Sequence, residues 1–211
     1  MSRPSFPQAE PGPAGKTPPQ VLLIGDSISI GYTPHVEALM KGEAVVVHHQ
    51  GNAGHTGNGL LKIEQWLGTN HWDVIHFNFG LHDLCYRSRD PAKKGQGDKV
   101  GGLLTNTPEK YAENLELLVQ RLEKTGAKLV WASTTIVPEG EKGRFVGDDA
   151  KYNAVAEKIM KAHRIPIDDL HTLSAGFAPS HFSSPGNVHY SKAGYEKLAR
   201  QVASSIRAAL K

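Results

Sequence analysis

From residue 20 onward, short runs of β-branched and apolar residues alternate with longer stretches whose apolar positions recur every three or four residues. The runs 21–24, 44–48, 74–79, 129–134 and 165–167 read as strands. Three of them are continuously apolar or β-branched, as strands are when helices cover both faces of a parallel sheet. Between them, Tyr111, Leu115, Leu118, Val119 and Leu122 form one helical stripe, and Tyr152, Val155, Ala156, Ile159 and Met160 another. Tyr195, Leu198, Val202 and Ile206 form a third in the last helix, for which Ser191 is the expected cap. Thr107-Pro108-Glu109 offers a cap, a first-turn proline and a favourable acid, and Asp148 or Asp149 is the expected cap of the next helix. Alternating strands and helices predict an α/β fold, a three-layer α/β/α sandwich with right-handed crossovers. Ligands in such sheets bind beyond the carboxyl ends of the strands, which is where chemistry is to be sought.

Residues 1–19 break the pattern. Six of the thirteen prolines (Pro4, Pro7, Pro11, Pro13, Pro18 and Pro19) stand there among Ser, Gln, Gly and Lys. Such a stretch cannot bury enough apolar surface to offset its own ordering, so it reads as a disordered tail ahead of one domain over 20–211. A net charge of +3 with no basic stripe interleaved with aromatics gives no reason to expect nucleic acid. No apolar run reaches the length of a membrane span, so no membrane partner is expected. Cys85 is the only cysteine, which excludes an internal disulfide and any multi-cysteine metal site. Eleven histidines are present, but His48, His49, His55, His71 and His76 scatter over strand and loop with no H-E-x-x-H pair, so neither metal nor cofactor is expected. No basic-then-apolar leader opens the chain. The proline-rich front suits a periplasmic or secreted protein slightly better than a cytoplasmic one.

Four strand ends carry candidate chemistry. The first strand runs into Gly25-Asp26-Ser27, which places a serine at or near a helix N-terminus. Unpaired N–H groups and the helix dipole there favour developing negative charge, as a nucleophile and its oxyanion require. The plainer alternative is that Ser27 or Ser29 is a helix cap. Neither a dinucleotide-binding glycine turn nor a phosphate loop is present, nor the G-x-S-x-G elbow. After the second strand comes QGNAGHTGNG, whose glycines let the backbone approach a ligand and aim N–H groups at it. After the third comes HFNFGLHDL, in which His76, Asn78 and Gly80 fall on one side and Gly80 exposes Leu81-His82-Asp83. His189 stands in the turn-rich NVHYSKAGY just before the last helix.

These four pieces, in this order, resemble the SGNH (GDSL-like) hydrolases, and the resemblance runs from about residue 20 to the last helix. Members are esterases, lipases, thioesterases and carbohydrate deacetylases on a flavodoxin-like sheet, here expected to have five parallel strands. The resemblance implies Ser27 as nucleophile and His189 as base. It implies an oxyanion hole made by the N–H groups of Ser27 and Gly54 and by the side chain of His82, with no cofactor or metal. His82 replaces the asparagine of the family's G-x-N-D block; a neutral imidazole still donates one hydrogen bond, and Asn78 is a fallback donor. Asp26 and Asp83 read as loop-fixing carboxylates.

A second departure concerns the family's D-x-x-H. Gly186 stands three residues before His189, where the aspartate is expected, and Asn187 follows. Loss of the orienting acid costs a serine triad about 10⁴ in rate, so either another group orients the ring or the protein is slow or inactive. A backbone carbonyl holding the ring in a Ser27–His189 dyad is the first expectation; Asp168 and Asp169, after the last short strand, are candidate substitutes, with capping of the following helix their plainer role. The 84–106 insertion, with Arg87, Arg89, Lys93, Lys94 and Lys99, reads as a long loop that is either a lid or a solvated surface. Arg87 and Arg89 are candidate substrate-binding residues, as is Asn78. The function implied is hydrolysis of short, acetyl-like esters, with O-acetylated carbohydrate as one substrate class. The alternatives are a catalytically impaired carbohydrate-binding descendant, a metalloenzyme and a nucleotide-binding domain.

Overall fold

The structure is a computed structural model that describes residues 17–211; residues 1–16, most of the expected tail, lie outside the described residues. Five strands form a parallel sheet: β1 (Gln20–Ile24), β2 (Val45–His48), β3 (Val74–Phe77), β6 (Lys128–Ala132) and β7 (Ile167–Asp168), in the order β2-β1-β3-β6-β7. Leu22 pairs with Val47 on one side and Ile75 on the other, and Ile75 pairs in turn with Leu129. Val21, Leu22, Leu23 and Ile24 are all buried, as a central strand requires. Each such side chain taken fully out of water contributes about 1.5–3 kcal/mol.

The helices are α1 (Ser27–Leu39), α2 (Thr56–Leu67), α3 (Pro108–Glu123), α4 (Asp148–Ala162), the short α5 (Leu170–Ala175) and α6 (Lys192–Leu210). Helices α1 and α6 pack together on one face, and α2, α3 and α4 pack in sequence on the other. The α1–α6 contact depends on Gly31: a Cβ there would sit 2.2 Å from Cζ of Tyr195, so glycine lets the α6 ring lie against the α1 backbone. Parallel five-stranded sheet and two helical layers are those expected from the alternation of patterns.

Three expectations need correction. Strands β3 and β6 end earlier than their apolar runs, because residues 78–79 and 133–134 have already left the ladder to build loops, and the last strand, expected over 165–167, is shifted to Ile167–Asp168. The 84–106 insertion is not a plain loop: β4 (Tyr86–Arg87) and β5 (Leu103–Leu104) form an antiparallel hairpin, closed further by a 3₁₀ turn at Pro91–Lys93. Nor does Asp148 or Asp149 cap α4; Gly147 holds that position, and Asp149 instead accepts from the Gly147 N–H and from His171 Nε2. Thr107 and Ser191 do cap α3 and α6, accepting from Lys110 and Gly194 N–H groups.

Candidate active site

At the end of β1 the cap is Asp26, not a serine: its carboxylate accepts from the Ile28 N–H at 2.9 Å. That leaves Ser27 as the first residue of α1 with its hydroxyl free for another partner. Ser29 is turned inward, its Oγ lying 2.7 Å from the Asp26 carbonyl oxygen and 2.7 Å from His48 Nε2. The opening segment thus separates capping from chemistry by one residue.

The partner of Ser27 comes from the other end of the chain. The turn before α6 closes when the Ser183 N–H donates to the His189 carbonyl and Asn187 N–H to that of Ser184. It brings His189 Nε2 to 2.8 Å from Ser27 Oγ. His189 Nδ1 lies 2.8 Å from Asn187 Oδ1, which also accepts the backbone N–H of His189 at 3.0 Å. The backbone contact settles the amide's orientation: a main-chain N–H can only donate, so the atom facing it is the oxygen. An oxygen at that position requires the imidazole proton on Nδ1. Nε2 therefore presents its lone pair to the Ser27 hydroxyl, as a general base must.

Asn187 thus occupies the orienting position, one residue later than the family's aspartate. Gly186 has no room for a side chain: its φ is +70°, and a Cβ would lie 2.8 Å from the Gly140 carbonyl oxygen. Neither aspartate named from the sequence bonds to His189. Asp168 is buried and accepts from His76 Nε2 and Gln201 Nε2, both at 2.9 Å, which ties β7 to β3 and α6. Asp169 caps α5 through the Thr172 N–H and accepts from Ser133. Nothing in the sequence pattern singled out Asn187; the signal available was a hydrogen-bonding side chain two residues before the base.

The expected oxyanion donors are distributed as follows. The Ser27 N–H, at the start of α1, donates to no group among the described residues. Gly54, in the loop after β2, donates its N–H to Asn52 Oδ1 at 2.8 Å. His82 is half-buried; its Nε2 stands 3.9 Å from Asp26 Oδ2 and its Nδ1 is 3.1 Å from Arg87 Nη2. Burial holds His82 below the usual imidazole range, Arg87, Arg144 and His55 push the same way, and Asp26 opposes them. Asn78 is no fallback, because both its Nδ2 protons are taken, by the Ala132 carbonyl at 2.7 Å and Thr134 Oγ1 at 3.4 Å. Asp83 fixes the glycine-rich loop against this segment, accepting from the N–H and hydroxyl of Thr56 and from Asn106. Burial nevertheless pushes its pKa up to about 6.

Ser27 and His189 open into a cleft of about 560 Å³, lined with polar groups that include Asn52, His82, Arg87, Lys142 and Ser184. Arg89 is exposed on the hairpin and does not line it. No group of metal-ligating side chains occurs among the described residues.

His48, one layer behind Ser29, makes a measurable prediction. Burial, reinforced by the adjacent His49, lowers its pKa to about 4. Between that value and the unfolded value near 6.5 the unfolded chain binds more protons, so this contribution to stability is lost as pH falls through that window. The full shift corresponds to roughly 3 kcal/mol. Thermal unfolding of the wild type and His48→Gln from pH 7 to pH 4 should show the wild type losing ground relative to the variant; parallel curves would contradict the assignment.

A serine at a helix N-terminus, an imidazole within hydrogen-bond distance and a parallel sheet presenting both are the arrangement of a serine hydrolase. The GDSL-like lipase/acylhydrolase family model matches residues 23–197, and the chain belongs to that family, a serine ester hydrolase. Comparison with curated proteins gives no match. Among solved structures, a lipase/acylhydrolase from Enterococcus faecalis is 20% identical, with a TM-score of 0.73 over 92% of this chain and 97% of that one. An acetyl xylan esterase is 17% identical (TM-score 0.68; 89% and 99% covered). A GDSL-like lipase from Bacteroides thetaiotaomicron is 14% identical (TM-score 0.66; 90% and 89%). At these identities the likeness is one of fold.

Proposed function

We propose that the protein hydrolyses short-chain, acetyl-like esters, with O-acetyl groups on carbohydrate as the natural class, through a Ser27–His189–Asn187 variant triad. The observation that carries the mechanism is the 2.8 Å approach of His189 Nε2 to Ser27 Oγ, with the ring proton held on Nδ1 by Asn187. His189 takes the Ser27 proton as Oγ attacks the ester carbonyl. The tetrahedral oxyanion is held by the N–H groups of Ser27 and Gly54 and the side chain of His82. For Gly54 this requires the Asn52 amide to give up its present bond. His189 then hands the proton to the leaving alcohol oxygen, expelling it and leaving an acyl-serine. Water, deprotonated by the same Nε2, attacks that ester, and Ser27 recovers its proton as the acid departs.

Support for a polar alcohol comes from the cleft, whose lining of amide, imidazole, hydroxyl and cationic groups matches hydroxyl-rich ligands better than a fatty chain. That a neighbour of similar fold is an acetyl xylan esterase points the same way. The test pairs two assays: turnover of p-nitrophenyl acetate against p-nitrophenyl decanoate, and acetate release from acetylated xylan. Preference for acetate with release from xylan is expected. Preference for the long chain would overturn the substrate reading, and failure of Ser27 to take a fluorophosphonate would favour a binding protein instead.

A further inference from the structure

His82 stands where family relatives are expected to carry an asparagine, and the two side chains differ in one respect that the structure addresses. An amide always has N–H groups to offer an oxyanion. A neutral imidazole has a single proton that sits on either of two nitrogens, and the wrong choice turns a donor into an acceptor. Something must choose.

His82 Nδ1 lies 3.1 Å from Nη2 of Arg87. A guanidinium donates and never accepts, so Nδ1 is the acceptor and the ring proton belongs on Nε2. That nitrogen is on the side of Asp26, the residue next to the nucleophile. Arg87 is itself anchored: Nη1 donates to the Gly95 carbonyl at 2.7 Å, and its backbone pairs with Leu103 in the β4–β5 hairpin. The other charged or titratable groups around the ring are Asp26, Arg144 and His55. Arg144 is already engaged, donating to the Leu81 carbonyl and to Glu141, so it does not compete for the ring.

We propose that Arg87 is a positioning residue of the oxyanion hole: it locks His82 as the Nε2–H tautomer, and so makes an imidazole usable where an amide is expected. This inference rests on the ester-hydrolase reading above only for its kinetic consequence. The tautomer itself can be read without turnover.

The experiment measures p-nitrophenyl acetate kinetics for wild type, Arg87→Met, Arg87→Lys, His82→Asn and His82→Asn/Arg87→Met, together with imidazole ¹⁵N spectra of wild type and Arg87→Met. Arg87→Met should lower kcat about tenfold with KM unchanged, less than the 10²–10³ cost of deleting an oxyanion donor, because the ring remains. Lysine keeps one donor and should recover most of the loss. In the His82→Asn background the Arg87→Met change should have no further effect on kcat, since an amide needs no lock. Equal losses in both backgrounds, or a loss expressed in KM, would make Arg87 a substrate or structural contact and overturn the proposal. In the spectra, wild-type His82 should carry its proton on Nε2, and Arg87→Met should show both tautomers. A wild-type ring protonated on Nδ1 overturns the lock whatever the kinetics. Wild type that shows the expected spectra but no Ser27-dependent turnover would defeat the ester-hydrolase reading and leave the lock standing.

Discussion

Ser27→Ala and His189→Ala are each expected to lower kcat/KM for p-nitrophenyl acetate by at least about 10³, and the double variant to be no worse than either. In the proposed mechanism the two side chains act on one proton, so removing the second after the first takes nothing more away. Stability should separate the site from the cap beside it. The Ser27 hydroxyl bonds to His189 alone, and its loss should leave the unfolding free energy within about 0.5 kcal/mol of wild type. Asp26→Ala removes the carboxylate that accepts from Ile28, and should cost about 1 kcal/mol. A Ser27→Ala protein that keeps its esterase activity but melts early would return Ser27 to the role of a structural serine.

Asn187 gives the second large effect, and here a gain is expected. The amide oxygen sets the His189 tautomer but carries no charge to stabilise the imidazolium formed as Ser27 attacks. Asn187→Asp places a carboxylate at the same 2.8 Å position, and kcat should rise at least about tenfold. The sign of the pH effect follows. A carboxylate favours the protonated ring, so the acid limb of the rate profile, which requires neutral His189, should move to higher pH. Asn187→Ala leaves Nδ1 without its acceptor and should lower kcat about 10²-fold. Gly186→Asp restores the family's spacing in sequence but not in space: φ of +70° and the Gly140 carbonyl 2.8 Å from its Cβ mean lost stability and no gain in rate. A Gly186→Asp enzyme faster than wild type, with Asn187→Asp slower, would show that the orienting group has been misassigned.

The contrast between these two positions shows what the sequence could and could not convey. The three-layer fold and the β1–α1 junction were legible in patterns the chain repeats, apolar runs and helical stripes, whereas the late histidine stood out only through its resemblance to the family's last motif. Asn187 was not, because the turn from Ser184 to Asn187 is shaped by the close packing of Gly186 on Gly140, a contact between residues 46 positions apart. Asp168 and Asp169 looked suitable by type and by position after a strand, but their carboxylates point to His76, Gln201, Thr172 and Ser133. Asn78, expected inside the third strand, lies just past the end of β3, and its amide is committed to the Ala132 carbonyl and Thr134 Oγ1. The β4–β5 hairpin left no trace because its strands are two residues long, too short for any period to register. What the sequence conveyed was where the chain puts its side chains, and what it withheld was which of them had already found partners.

Ser27 and His189, the proposed nucleophile and base, stand 162 residues apart, and His189 lies just ahead of α6, which packs on α1 over Gly31. During synthesis Ser27 is made early and His189 late, and everything between them must be in place before the pair exists. On that proposal a nascent chain carries a serine with no base to activate it, and a chain ending before His189 should be inert even where its sheet has formed. On the proposed mechanism, esterase activity would report that these two distant parts of the fold have closed on one another.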